Sequence, residues 1–213
     1  MAEQFVIPKA FTKEWFSYVW DYYKYHILGA VAALLLIIYT IFEISTTVRY
    51  DTNINYIATN IVSQENEEKI CDICEKGSKD INDNGKVDVS FSQINFTQEA
   101  KLDGNMYSAL MNKMMAMFST EEELVYIMDK AMMDSVVAME STEGLFLPAS
   151  EWSGAESGET EFGVSLENSE VFKEAGVDTT DMYVLVRATF NTENEELLEC
   201  SENAISLAKF LVK

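Results

Sequence analysis

The chain has 213 residues, 48% of them hydrophobic and 24% charged, enough for one compact domain plus an accessory segment and too apolar for wholesale disorder. Its net charge of -21 repels phosphate backbones and anionic headgroups, which makes nucleic acid a poor partner. The charge is uneven: Lys9, Lys13, Lys24 and Arg49 offset Glu3, Glu14, Asp21 and Glu43, so residues 51–213 carry all of the -21.

The first element is an apolar run from Ile27 to Ile44, ILGAVAALLLIIYTIFEI, with Glu43 its sole charge. As a helix it would span roughly 27 Å, about the hydrocarbon thickness of a bilayer. Before it stand Trp15, Phe16, Tyr18, Trp20, Tyr22, Tyr23 and Tyr25, rings that favour the headgroup level, where Lys24 and His26 can reach too. A buried core helix would not need this belt. A cleaved signal peptide would carry a short charged start and a small-residue cleavage site, and neither is found here. The pattern predicts an uncleaved signal anchor. Lys9, Lys13 and Lys24 before the span against Arg49 after it place the N-terminus in the cytoplasm by the positive-inside rule. The expected organisation is a cytoplasmic aromatic-rich segment 1–26, a transmembrane helix 27–44, a stalk 45–52 and an acidic extracytoplasmic domain 53–213.

Within the domain, Asn53–Ala58 reads as a short strand. Gln64–Ile81 reads as a helix, its first turn enriched in Glu65, Glu67 and Glu68 where the helix dipole favours acids. Asp80–Gly85 is a turn cluster. Val87–Phe96 alternates Val87, Val89 and Phe91 inward with Asp88, Ser90 and Ser92 outward, the pattern of a half-buried strand. Asn105–Phe118 has helical spacing. Residues 123–129 fit either period; their β-branched and aromatic content favours a strand, followed by a helix through Val137. Gly144–Leu147 is a further short strand and Glu151–Gly163 a polar surface loop. Asp181–Phe190 is the clearest strand, and Glu195–Val212 closes the chain as a helix with Leu197, Leu198, Ile205, Ala208 and Leu211 inward. The expected fold class is α/β or α+β: a transmembrane helix, then a single mixed-sheet domain with helices packed on it.

Few residues carry chemistry. The sole histidine is His26 at the membrane boundary, so the domain lacks histidine-based nucleophile pairs, metal ligands and general bases. No P-loop, GxGxxG or GxSxG motif occurs. Carboxylate pairs are abundant only because acids are, and no catalytic constellation is assembled, so the chain reads as a non-enzyme. Cys71, Cys74 and Cys200 are an odd set. C71-D-I-C74 sits inside a helical pattern, as buried small hydrophobes do, and lacks the further ligands of a zinc site or the strand-to-helix setting of a redox pair.

The strongest motif is D80-I-N82-D-N84-G85-K86-V87-D88. It matches the first nine positions of a calcium loop, with oxygen side chains of Asp80, Asn82 and Asn84, the Lys86 carbonyl and Asp88. Position 12 is Phe91 instead of a bidentate acid, and the exit is a strand, so any calcium would bind in the millimolar class. The rival reading is a polar turn. No other cofactor is implied.

Nine of the eleven methionines fall between Met106 and Met139. Their spacing follows helix faces and reads as an adaptable core in preference to Cu(I) ligands or a plastic groove. Met115 and Met133 are the members expected to leave the buried stripe. Asn95-Phe96-Thr97 is a glycosylation sequon, relevant only in a eukaryotic secretory setting.

Two segments carry a resemblance. W20-D-Y22-Y23-K24-Y25-H26 before a short apolar helix, and the Asp80–Val87 loop entering a strand, resemble uncharacterised single-pass membrane proteins of Gram-positive bacteria. So does F162-G-V-S-L…V171-F…D181-M-Y-V. The resemblance implies a domain distantly like one lobe of extracellular solute-binding proteins, though the chain is too short for two lobes. The expectation is a membrane-anchored domain that binds a small ligand or a protein without catalysis. An accessory subunit docking to another membrane protein through its aromatic-rich helix is the alternative, and a carboxylate-dependent hydrolase the third.

Overall fold

The computed structural model describes residues 9–46, 50–154, 160–189 and 193–213. It divides into two compact units, Met1–Val48 and Arg49–Lys213. In the first unit the aromatic belt and the apolar run form one continuous helix, α1 (Lys13–Thr46). It is long and apolar enough to cross a membrane, and none of its apolar window is buried. Its aromatic rings meet at helical spacing, Tyr18 with Tyr22 at 5.7 Å and Tyr23 with His26 at 6.1 Å, and the Lys24 ammonium lies 5.5 Å from the Tyr25 ring. Trp20, Tyr22, Tyr23 and Tyr25 are exposed, and Trp15 is half-buried.

The second unit is mixed α/β, as its periodicities imply. Strands β1 (Thr52–Ala58), β2 (Val89–Asn95), β3 (Val125–Asp129), β4 (Gly163–Ser165) and β5 (Met182–Val186) form one sheet in the order β2-β1-β3-β5-β4. β1 runs parallel to both β2 and β3, while β5 is antiparallel to both β3 and β4. Helices cover both faces. On one face α2 (Gln64–Cys74), α6 (Ala149–Trp152), α7 (Glu170–Ala175) and α8 (Glu195–Leu211) pack on Ile54, Tyr56, Val125, Ile127, Val184 and Val186. On the other, α4 (Gly104–Ser119) and α5 (Lys130–Val137) pack on Ile57, Ile94, Tyr126, Met128 and Leu185. The short α3 (Gln98–Leu102) leads into α4. Strands covered on both sides read as continuous apolar runs, which explains why 123–129 fitted two periods at once.

Local chemistry fixes the helix starts. The Ser63, Asp103 and Asp129 side chains accept from the first free N–H groups of α2, α4 and α5, the usual role of short polar residues at that position.

Several elements differ from expectation. The helix expected over Gln64–Ile81 ends at Cys74 and closes in a short 3-10 turn, Glu75–Gly77. Beyond it, Lys79 gives its backbone N–H to the side-chain amide oxygen of Asn203 and Ile81 gives its own to the Asp51 carboxylate, so the backbone is satisfied outside a helix. β2 spans Val89–Asn95, with Val87, Val89 and Phe91 against one core as expected, but Ile94 packs on the opposite core and Ser90 donates to Asn53. Gly144–Leu147 contributes a single bridge, Phe146 to Arg187. In the segment expected to be surface loop, Trp152 is buried on α6; residues 155–159 lie outside the described set. The strand expected over Asp181–Phe190 is Met182–Val186, and Phe190 lies outside the described residues. On α8, Ala208 and Leu211 are buried and Ile205 packs on the core as expected; Ser201, Asn203, Ala204 and Leu207 are buried as well, while Leu198 is exposed. Asp51 and Thr52, expected in a stalk, are buried in the domain because both join the network around Asn203.

Candidate functional site

The loop preceding β2 carries the motif residues. Asp80 accepts the Asn84 N–H at 3.2 Å and the Gly85 N–H at 2.8 Å, and Asn82 accepts the Asn84 N–H at 3.1 Å. Asn84 in turn accepts the Lys86 N–H at 2.8 Å and reaches Asp88 at 3.4 Å. Asp83 and Gly85 take left-handed conformations at φ 53° and 83°, which let the loop reverse within a few residues. The side-chain oxygens of Asp80, Asn82 and Asn84 accept N–H groups of the loop itself, and Asp88 accepts from the Asn84 side-chain amide. The twelfth position is spent in the core, where Phe91 lies 5.6 Å from Tyr56.

Sequence reasoning missed the residue that holds this loop. Asp51, 6% exposed, accepts from Ile81 and Asn82 on one oxygen and from Asp88 on the other, at 2.8, 3.0 and 2.8 Å. Nothing near Asp51 in sequence marks it. Only the parallel pairing that sets Thr52 beside Val89 brings it to the loop.

In open α/β sheets ligands usually bind beyond the carboxyl ends of two strands whose connections leave to opposite faces. Here those strands are β1 and β3, and that crevice is tied shut. One Asp129 oxygen accepts the Thr59 N–H at 2.9 Å and its hydroxyl at 3.1 Å, while the other caps α5 at Met132. Tyr56 is buried behind this link with its hydroxyl unpartnered. Burial first, then the charges of Asp129 and Asp178, push its phenol up to about 12.

Open space lies instead on the α5 side of the sheet. A cavity of about 300 Å³ is walled by Val137, Met139, Phe146 and Phe162, with Glu140 and Glu143 among its lining residues. The chain after α5 shapes it. Thr142, buried in the turn Glu140–Thr142, turns its hydroxyl onto the carbonyls of Val136 and Met139. Gly144 adopts φ 72°, which a side chain would resist, and returns the chain to Phe146. Phe146 is held nearly perpendicular to the rings of Phe118 and Tyr126. No motif marked this place in the sequence; it needs Phe162, distant along the chain, to complete the wall.

The methionine-rich segment behaves as core. Met114, Met128 and Met133 are buried, and Met111, Met115, Met117, Met132 and Met139 are partly buried against the same cluster. Met133 therefore does not leave the stripe. It packs against Gly163, where an added Cβ would lie 2.7 Å from its sulfur. Met106 is the exposed member. All three cysteines are free thiols. Burial, then Asp72, Glu67, Glu75 and Glu68, push Cys71 up to about 11, and burial raises Cys74 further. Neither is an activated nucleophile at neutral pH. Among the described residues no group of three or more His, Cys, Asp or Glu side chains is placed to hold a metal.

Comparison of the chain with protein-family models, with curated proteins and with solved structures gives no match.

Proposed function

We propose that this chain is a membrane-anchored binding protein whose extracytoplasmic α/β domain takes up a small ligand in the cavity beside α5, without catalysis. The observation that carries the reading is the pairing of a helix whose apolar window is unburied with a folded domain containing a cavity of about 300 Å³. An apolar helical window of this length with none of it buried is untenable in water and fits a bilayer. A mostly apolar concavity with a few polar groups is the usual form of a small-molecule site. The bias of Lys9, Lys13 and Lys24 over Arg49 supports a cytoplasmic N-terminus.

Orientation is tested by an engineered cysteine at the exposed Asn84, labelled in intact cells with a membrane-impermeant maleimide. The native thiols are poor targets because burial raises all three. Labelling of intact cells is expected; labelling only after lysis overturns the orientation. Release of the protein by alkaline carbonate would overturn the anchor.

The exposed rings of Trp20, Tyr22, Tyr23 and Tyr25 favour a second reading, an accessory subunit that docks through α1. Replacing these four by leucine keeps ligand binding under the first reading. Under the second, the protein's association with other membrane proteins is lost while the domain remains folded.

A further inference from the structure

We infer that the cavity beside α5 selects a small organic cation, an ammonium ion carrying one apolar or aromatic group. The inference rests on the reading that this cavity is a ligand site, and it adds the ligand's charge and shape. A volume of about 300 Å³ stands at the lower end of small-molecule pockets, which run from about 300 Å³ upward. That fits a body of about one ring.

The charged groups around the cavity are one-sided, and several of its backbone donors are committed. The N–H groups of Met139, Thr142, Glu143 and Leu145 all close local turns onto Val136, Met139, Glu140 and Thr142, and the Thr142 hydroxyl donates inward to backbone carbonyls. Arg187, which pairs with Phe146 across the sheet, gives its guanidinium to the carbonyls of Phe118 and Thr120 at 2.7 and 2.9 Å. Among the described residues no Lys, Arg or His lines the cavity. Its charged groups are both acceptors: the carboxylates of Glu140 and Glu143, which have no side-chain partner among the described residues. An anion would meet two like charges there, whereas a cation finds two carboxylates.

The walls complete the match. Phe146 and Phe162 supply aromatic surfaces of the kind that attract quaternary or primary ammonium groups, and Val137 and Met139 supply apolar contact for the body. The surrounding field has the same sign. A domain carrying the whole net charge of -21 raises the local concentration of cations and repels anions before any contact forms.

The test uses the full chain in nanodiscs of zwitterionic lipid, with its methionine methyls isotopically labelled for NMR. Met139 lines the cavity, Met182 is buried on the opposite face of the sheet, and Met106 is exposed elsewhere. The probes are phenyltrimethylammonium and its neutral isostere tert-butylbenzene. The ammonium is expected to move the Met139 resonance saturably while Met106 and Met182 stay in place. The neutral probe should bind about tenfold more weakly, the scale of a desolvated cation–π contact. The exposed double variant Glu140→Gln, Glu143→Gln should weaken the cation to a similar degree and leave the neutral probe unchanged. Equal affinity of the two probes, or an unaffected double variant, overturns the cation selectivity while leaving the cavity as a binding site. A shift of Met106 together with Met139 marks diffuse association with the acidic surface and also overturns it. No movement of Met139 with either probe overturns both this inference and the ligand site itself.

Discussion

The side-chain amide of Asn203 donates to the Thr52 hydroxyl at 2.7 Å, joining the last helix to the first strand across 151 positions. The same amide reaches the Asp51 and Lys79 carbonyls, and its oxygen accepts the Lys79 N–H at 2.8 Å. Asn203 is fully buried. It therefore satisfies polar groups from two other segments at once, and removing it strands each of them. Asn203→Leu is expected to cost about 3 kcal/mol, since each buried polar group left without a partner costs about 1–3 kcal/mol. Denaturant unfolding of the full chain in detergent checks this. A loss below about 1 kcal/mol would show that water replaces the amide.

This network also shows how far the sequence can be read. The sheet, both long helices and the turn at Asp80–Gly85 follow from periodicity and turn chemistry, which act over a few residues. Asn203 and Asp51 were not legible because a single Asn or Asp carries no periodicity. Their roles arise only when the parallel β1–β2 register and the docking of α8 bring them to the 79–88 loop. The start of α8 was misjudged for the same reason: Leu198 looks like core by type but is exposed, while the polar Asn203 is buried. The cavity was invisible because its walls come from segments separated by β4's approach to the sheet. What could be read of a site was the polar loop, whose oxygens do converge.

That loop allows a prediction on calcium. Asp80, Asn82, Asn84 and Asp88 cluster, but Phe91 replaces the bidentate acid and is packed near Tyr56. Ten millimolar calcium should stabilise the domain by about 1.4 kcal/mol if the dissociation constant is about 1 mM, and 0.1 mM calcium should do nothing measurable. Thermal melts in chelator, in 0.1 mM and in 10 mM calcium decide it. Identical melts in all three would make the loop a polar turn. Asp51→Asn should destabilise the domain by about 1–3 kcal/mol with or without calcium, because it weakens a buried acceptor of three backbone N–H groups.

Alkaline stability follows from the buried phenol and thiol. Tyr56 is held neutral up to about 12 in the fold against an ordinary value of 10.0, and Cys71 up to about 11 against 9.0. Both groups bind their protons more tightly folded than unfolded. Their contribution is complete below about pH 9 and is lost as pH climbs toward 12, Cys71 first and Tyr56 after it. For Tyr56 the loss is at most about 2.7 kcal/mol, at 1.36 kcal/mol per unit. Tyr56→Phe should remove the upper part of this loss. At pH 7 it should leave stability unchanged or raise it by about 1 kcal/mol, because the deleted hydroxyl is buried without a partner. Denaturant melts at pH 7, 9 and 11 measure both effects. A clear loss at pH 7 would show that the hydroxyl has a bound partner, water or ligand, behind the Asp129–Thr59 link.

The place where α2 stops early gives a further prediction. A Cβ at Gly77 would lie 2.5 Å from Cγ and 2.8 Å from Cβ of Phe210, distances that no rotation of the ring relieves because Phe210 Cβ is fixed to the α8 backbone. Helical propensity favours alanine over glycine by about 1 kcal/mol, so Gly77→Ala would be stabilising in an isolated peptide. In the folded domain the contact with α8 should win and cost about 1–3 kcal/mol, the range for overpacked cores. Phe210→Ala alone should also destabilise, by lost packing against the α2–α8 cluster. The double variant Gly77→Ala, Phe210→Ala should be more stable than the sum of the two single losses implies, by about 1 kcal/mol, because the second change removes the ring atoms at 2.5 and 2.6 Å and leaves only the Cβ contact at 2.8 Å. Unfolding free energies of the four proteins complete the cycle. Additive losses would mean that α8 can slide away from Gly77, and the tight approach would then not be what ends the helix at Cys74.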